Sequence, residues 1–200
     1  MVKVGLTGGI STGKTTVGTM FVEMGCHLID SDRITHELFE PGEAVHESVV
    51  ARFGAGIRDV DGRIDRLRLG EIVFNNPARR ETLNGLVHPA VIERQKEFLA
   101  SVESRDPDAI AIVDAALMIE VGTYKSYDKV VVVTCSPDQQ RSRLIEREGL
   151  SAEEIEKRIQ SQMPLEEKAK YADFVIDNSG PLESTRRQVV STYEKLRELA

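Results

Sequence analysis

Residues 5–16 read GLTGGISTGKTT, four glycines, one lysine and a run of hydroxyls packed behind an apolar stretch. Gly8, Gly13, Lys14 and Thr15 satisfy the pattern G-x-x-x-x-G-K-[ST], and the spacing has a physical reason. Glycines let the chain curl so that successive amides point inward at an anion, and a helix starting near Gly13 adds its positive end. Lys14 then places a cation on the β- and γ-phosphates of a nucleotide, and the Thr15 hydroxyl is offered to Mg²⁺. A glycine-rich turn in an unrelated sheet protein is the plain alternative. The flanks argue against it: VKVGLT (2–7) reads as a buried strand, and Val17, Met20, Phe21 and Met24 form a helical stripe that stops at Gly25.

Outward from this loop, four more short apolar runs read as buried strands: CHLI (26–29), AIAIVD (109–114), KVVVVT (129–134) and DFVID (173–177). Helical patterns lie between them. Ser136-Pro137 with Gln139, and Ser151 with Glu154, have capping-box spacing, and the first of these helices is expected to end near Gly149. Strands alternating with helices predict an α/β protein: a P-loop three-layer fold whose five-stranded parallel sheet is covered on both faces.

The alternation breaks between about residues 33 and 105. Stripes run through Val45, Val49 and Phe53, then Leu69, Ile72 and Val73, then Leu83, Leu86 and Val87, then Val91, Phe98, Leu99 and Val102. This predicts a mostly helical insertion, in which His88 before Pro89 has a helix-terminal histidine as its plain alternative reading. The whole chain reads as one domain: a core of about 1–32, 106–137 and 172–200, the insertion at 33–105, and a helical lid at 138–171.

A net charge of −7 argues against a general affinity for nucleic acid or anionic membrane, which needs a basic face. No apolar run approaches membrane-spanning length. Cys26 and Cys135 lack metal-ligand spacing and read as reduced core thiols. A cytoplasmic protein with no obligate protein partner is expected.

A phosphate loop alone does not distinguish a kinase from a GTPase switch or a mechanical ATPase. DVDG (59–62) contains D-x-x-G, but it has no strand before it and no N-K-x-D follows, so it reads as a turn. In LIDSDRIT (28–35), Asp30 and Asp32 leave the second strand at the carboxyl end of the sheet, where one carboxylate is able to orient and deprotonate an attacking hydroxyl. Asp30 or Ser31 has the alternative role of capping the next helix; Asp32 is the candidate base. Arg141, Arg143, Arg147 and Arg158 cluster on the two capped helices, and Arg143 and Arg147 share a face at i, i+4. They suit a lid over a phosphate chain; a solvated charged helix is the alternative.

At this point the chain resembles the dephospho-CoA kinase family along nearly its whole length. The resemblance rests on GLTGGISTGKTT, LIDSD followed by EPG, DGRIDRLRLGEIVF, LNGLVHP, DAALMIE, RSRLIERE, SQMPLEEK and ADFVIDNSG. It implies ATP- and Mg²⁺-dependent phosphorylation of the ribose 3′-hydroxyl of dephospho-CoA, on a core carrying a helical substrate-binding insertion and a lid. Carried over by position, the nucleotide loop falls on Ser11, Thr12, Gly13, Lys14, Thr15 and Thr16, with Asn178; Gly8 and Gly9 of the loop and Arg147 of the lid face complete the nucleotide-binding set. Catalysis falls on Asp32, Lys14 and Arg143, and the acceptor side on Asp32, Arg66 and His88. Two departures stand out: Ser11 replaces a glycine or alanine, and Ala116 replaces a proline, which is expected to loosen the backbone after the third strand. A kinase for another small hydroxyl acceptor, or a slow nucleotide-hydrolysing regulator, are the competing readings.

Overall fold

The computed structural model describes residues 1–74, 76–149 and 151–200. Two compact units make up the chain, residues 1–29 with 99–200, and residues 30–98.

The first unit is built on a five-stranded parallel sheet in the order β2-β3-β1-β4-β5. Its strands are β1 (Val2–Gly8), β2 (His27–Asp30), β3 (Ile110–Asp114), β4 (Lys129–Thr134) and β5 (Phe174–Asp177). Each lies within a residue of the apolar run that predicts it, because a strand buried on both faces has to be apolar throughout. β1 is central, pairing with β3 (Leu6 opposite Asp114) and with β4 (Gly8 opposite Val133). The chain leaves β1 toward β2 on one side and β4 toward β5 on the other, so a crevice opens at their carboxyl ends.

One face of β1 sends Val2, Val4 and Leu6 into a core closed by Val17, Met20 and Phe21 of α1 (Lys14–Glu23) and by Val189 and Leu196 of α9 (Leu182–Arg197). The opposite face carries Met118, Ile119, Val130 and Val132, with Tyr124, Tyr127 and Met163 packed against them. Cys26 and Cys135 are both free and buried, and burial pushes the Cys26 thiol up to about 12. The capped helices form as their spacing predicts. α6 (Pro137–Glu148) begins at Ser136, whose hydroxyl accepts the Gln139 amide, and ends at left-handed Gly149; α7 (Ala152–Gln160) carries a complete Ser151–Glu154 capping box. α8 (Leu165–Ala169) is one short turn.

The second unit holds α2 (Ser31–Leu38), α3 (Ala44–Phe53), α4 (Arg66–Phe74) and most of α5 (Pro77–Arg105). Among the described residues of 33–105 the only strand-like pairing is a bridge between Arg58 and Ile64. It closes the DVDG turn, where Asp59 Oδ1 accepts the amides of Asp61 and Arg63, and buried His46 holds the Gly62 carbonyl through Nε2 at 2.9 Å.

The plain alternative for His88 does not hold. α5 does not end at His88; it runs on through Pro89 for 29 residues in all. Proline has no amide to give the carbonyl four residues back and crowds that position. The residue there is Gly85, which has no side chain to add to the crowding.

Candidate nucleotide site

Gly8, the last residue of β1, opens a loop that turns into α1 at Gly13. Gly13 sits at φ +90°, and a Cβ there would overlap the Asn178 amide nitrogen, so only glycine fits. Four of the loop's carbonyls meet side-chain donors. Gly8 O accepts Lys168 Nζ at 3.2 Å. Gly9 O accepts the Thr12 hydroxyl at 3.0 Å. Ile10 O accepts Gln140 Nε2 at 2.7 Å, while the Ile10 amide donates to Gln162 Oε1 at 2.8 Å. Thr12 O accepts Asn178 Nδ2 at 2.8 Å and an Arg143 guanidinium nitrogen at 3.3 Å.

The amides of Ile10 and Thr12 are also taken, by Gln162 Oε1 and Gly9 O, so the donors for an anion are those at the helix start. α1 has no side-chain cap, so the amides of Lys14, Thr15 and Thr16 are the ones a helix start leaves without intrahelical acceptors. These groups and the helix dipole together make an anion site. Ser11 lies in the same turn at φ +56°, the one non-glycine residue with positive φ among the described residues, and its hydroxyl is buried without a partner.

The Lys14 ammonium is bonded to the carboxylate of Asp114, the buried last residue of β3. Their side chains are only 13% and 4% exposed, so the pair sits where a charge is weakly screened. Behind it lies Lys168, wholly buried, bonded to Ala116 O at 2.7 Å and Glu120 at 3.0 Å as well as to Gly8. The Ala116 carbonyl also takes the Thr7 hydroxyl at 3.1 Å. The turn where proline was expected is thus held by two donors.

Asn178 and Arg143 support the loop from below. Asn178 is buried, with its amide group on Thr12 and its oxygen accepting the Thr185 hydroxyl at 2.9 Å. Arg143 bridges Thr12 O and Asn178 O, the latter at 2.9 Å. Its positive charge partly offsets the burial that raises the nearby Cys135 thiol. Arg147 lies exposed one turn further along α6. Arg141 is ion-paired with Glu156 of α7 and Asp138, a tie within the helical hairpin.

In the second unit, Asp30 caps α2, accepting the amides of Asp32 (2.8 Å) and Arg33 (3.2 Å). The Asp32 carboxylate makes no hydrogen bond or ion pair among the described residues. A similar division holds on α4. Asp65 caps the helix and pairs with Arg68, which also reaches Gly56 O, while neighbouring Arg66 is exposed. His88 lies half-buried within α5, and burial holds its imidazole below the ordinary value.

Sequence reasoning gave Asp114, within DAALMIE, no role, and passed over Gln140, Gln162 and Lys168. Asp114 had a signal, a carboxylate ending an otherwise apolar strand at the sheet's carboxyl edge. The other three act across 130 to 160 residues, a distance over which local pattern carries nothing.

Comparison with known proteins agrees with this geometry. The family model described as dephospho-CoA kinase matches residues 2–184. A dephospho-CoA kinase of Aquifex aeolicus is 43% identical over 196 residues, covering 98% of both chains. One from Geobacillus kaustophilus is 46% identical over 190 residues, covering 94% of this chain and 93% of its own. The solved structure of the dephospho-CoA kinase from Campylobacter jejuni superimposes with a TM-score of 0.73 at 27% identity, covering 98% of this chain and 97% of that one.

Proposed function

The chain belongs to the dephospho-CoA kinase family, and we propose that it transfers the γ-phosphoryl group of ATP to the ribose 3′-hydroxyl of dephospho-CoA. The products are coenzyme A and ADP, the last step of coenzyme A synthesis. The observation that carries this reading is the phosphate loop with its Gly8, Gly9, Ile10 and Thr12 carbonyls engaged by side-chain donors and an uncapped helix start after it, beside a lysine already held at the strand end by Asp114.

Phosphoryl transfer asks for positioning and charge stabilisation more than covalent chemistry. In this reading Gly8, Gly9, Ser11, Thr12, Gly13 and Thr16 shape the cradle. Lys14 neutralises the β- and γ-phosphates, its approach limited by Asp114. Arg143 braces the loop and Arg147 adds positive charge from the lid, with Asn178 as the strut beneath Thr12. Asp32 orients the 3′-hydroxyl and takes its proton. The support for that role is its freedom: Asp30 satisfies the helix start, so Asp32 is spared from capping. Arg66 and His88 serve the acceptor, Arg66 because Arg68 takes the structural bonds of that turn.

The donor set suits Mg²⁺. This ion is ordinarily held by one or two protein ligands together with phosphate oxygens and water, and the Thr15 hydroxyl stands exposed on the first turn of α1. When bound, Mg²⁺ would neutralise charge on the transferring group. We take residues 33–105 as the acceptor-binding part and 138–171 as the lid. A cytoplasmic setting, without nucleic acid, membrane or obligate protein partner, is supported by the net charge of −7, by free buried cysteines, and by the finding that no described helix is long and apolar enough to cross a membrane.

The test is product analysis. Incubation with ATP-Mg and dephospho-CoA should give ADP and a new 3′-phosphomonoester, seen by phosphorus NMR and as an added phosphate by mass spectrometry. Nucleosides and sugar acids should stay unmodified. ATP turnover indifferent to every acceptor would overturn the reading in favour of a hydrolysing regulator.

A further inference from the structure

Lys168 is the only lysine or arginine with a buried side chain among the described residues, at 0% exposure. A buried charge is kept only where its donors are fully used, since the desolvation cost otherwise exceeds what the contacts return. Its ammonium has three protons and three acceptors: Gly8 O at 3.2 Å, Ala116 O at 2.7 Å and Glu120 at 3.0 Å. These acceptors are not an arbitrary set. Gly8 is where β1 becomes the phosphate loop, and Ala116 follows β3 two residues after Asp114, the partner of Lys14. Glu120 in turn accepts the Met163 amide at 3.1 Å, fastening the segment that leads into α8. One ammonium thus ties together the two strand ends that carry the loop and the Lys14–Asp114 pair.

We propose that Lys168 is a positioning residue for the phosphoryl donor: it holds the Gly8 carbonyl turned out of the loop, so that the oxygen does not face the phosphates, and fixes the strand ends between which Lys14 is presented. This rests on the kinase reading above. The two cations sense each other. Burial is the main influence lowering the affinity of Lys168 for its proton, the Glu120 contact opposes it, and repulsion from Lys14 adds to the lowering. An apolar residue of similar length would fill the space with less desolvation, so stability alone gives no reason for a lysine here.

Lys168→Met should stay folded and lose about 10- to 100-fold in affinity for ATP, the size expected when charge-assisted hydrogen bonds to the loop disappear. Inorganic tripolyphosphate, which competes for the loop without an adenine ring, should lose a similar factor. KM for dephospho-CoA should change by less than about twofold, the mark of a change that leaves acceptor binding untouched. Glu120→Gln keeps an acceptor oxygen for Lys168 and should retain ATP affinity within about threefold. If Lys168→Met does not fold, Lys168→Gln, shorter and uncharged, cannot satisfy all three acceptors and should show the same selective loss. ATP affinity equal to that of the unmodified chain in a folded variant overturns the proposal. So does an equal loss toward ATP and dephospho-CoA, which marks general loosening. An unmodified chain that ignores ATP-Mg would instead sink the kinase reading itself.

Discussion

Replacing Gly13 by alanine tests whether Asn178 and the phosphate loop are one mechanical unit. Two costs are expected. At φ +90° a residue with a Cβ pays about 1–2 kcal/mol for the left-handed backbone. The added methyl also displaces the Asn178 amide, breaking its bonds to Thr12 O and Thr185 Oγ1. At about 1 kcal/mol each, these bring the total to roughly 3–4 kcal/mol. Asn178→Ala alone removes the same two bonds and leaves the buried Thr185 hydroxyl without its acceptor, about 2–4 kcal/mol. In the double variant the clash has nothing to strike, so Gly13→Ala costs only the backbone part. The two single costs should therefore exceed the double by about 2 kcal/mol, well outside the ~0.5 kcal/mol scatter of independent sites. Urea unfolding at 25 °C followed by circular dichroism measures all four corners. Additive costs would refute the argument that the loop rests on Asn178.

Asp32→Asn should keep ATP affinity and lose turnover by orders of magnitude, whereas Asp30→Ala should chiefly lower stability, by about 1 kcal/mol for a lost helix cap; near-normal turnover of Asp32→Asn at pH 7 would refute its role as base. Lys14→Ala should damage both nucleotide affinity and rate, and an effect on only one of them would contradict the placement of its charge on the transferring phosphates. Burial lowers the pKa of His88 in the folded chain, so below its ordinary value of about 6.5 the unfolded chain binds more protons and stability falls with falling pH until the folded value is passed. His88→Gln should remove that part of the acid sensitivity, so the stability of the original chain relative to the variant should decline between pH 7.5 and pH 5; a constant difference would show that His88 does not titrate across unfolding.

The parts of this molecule legible from sequence are those made by neighbours along the chain. The five strands, the Gly8–Thr15 loop, the Ser136 and Ser151 caps and the Asp59 turn each depend on a few consecutive residues, and all form where their patterns place them. The run of α5 through Pro89 was not legible because a proline reads as a stop, and the compensating Gly85 lies four residues upstream with no signature of its own. The underside of the loop was invisible for a different reason. Gln140, Gln162 and Lys168 are ordinary polar residues on or beside helices, and only the parallel crossovers bring them against Ile10 and Gly8; Asn178 was legible as a nucleotide-side residue by family position, but not as the strut on Thr12. Asp30 and Asp32 were legible as a pair, but their division of labour needed the amides that Asp30 accepts.

Ser11 gives the loop a thermal consequence. Its left-handed backbone costs about 1 kcal/mol more than glycine would incur, and its enclosed hydroxyl finds no compensation. For a chain of this size the backbone cost alone corresponds to a melting temperature some 2–4 °C lower. A lineage moving into hotter surroundings would have a single exchange at hand, in the turn proposed to hold the nucleotide, to recover heat tolerance without rebuilding its core.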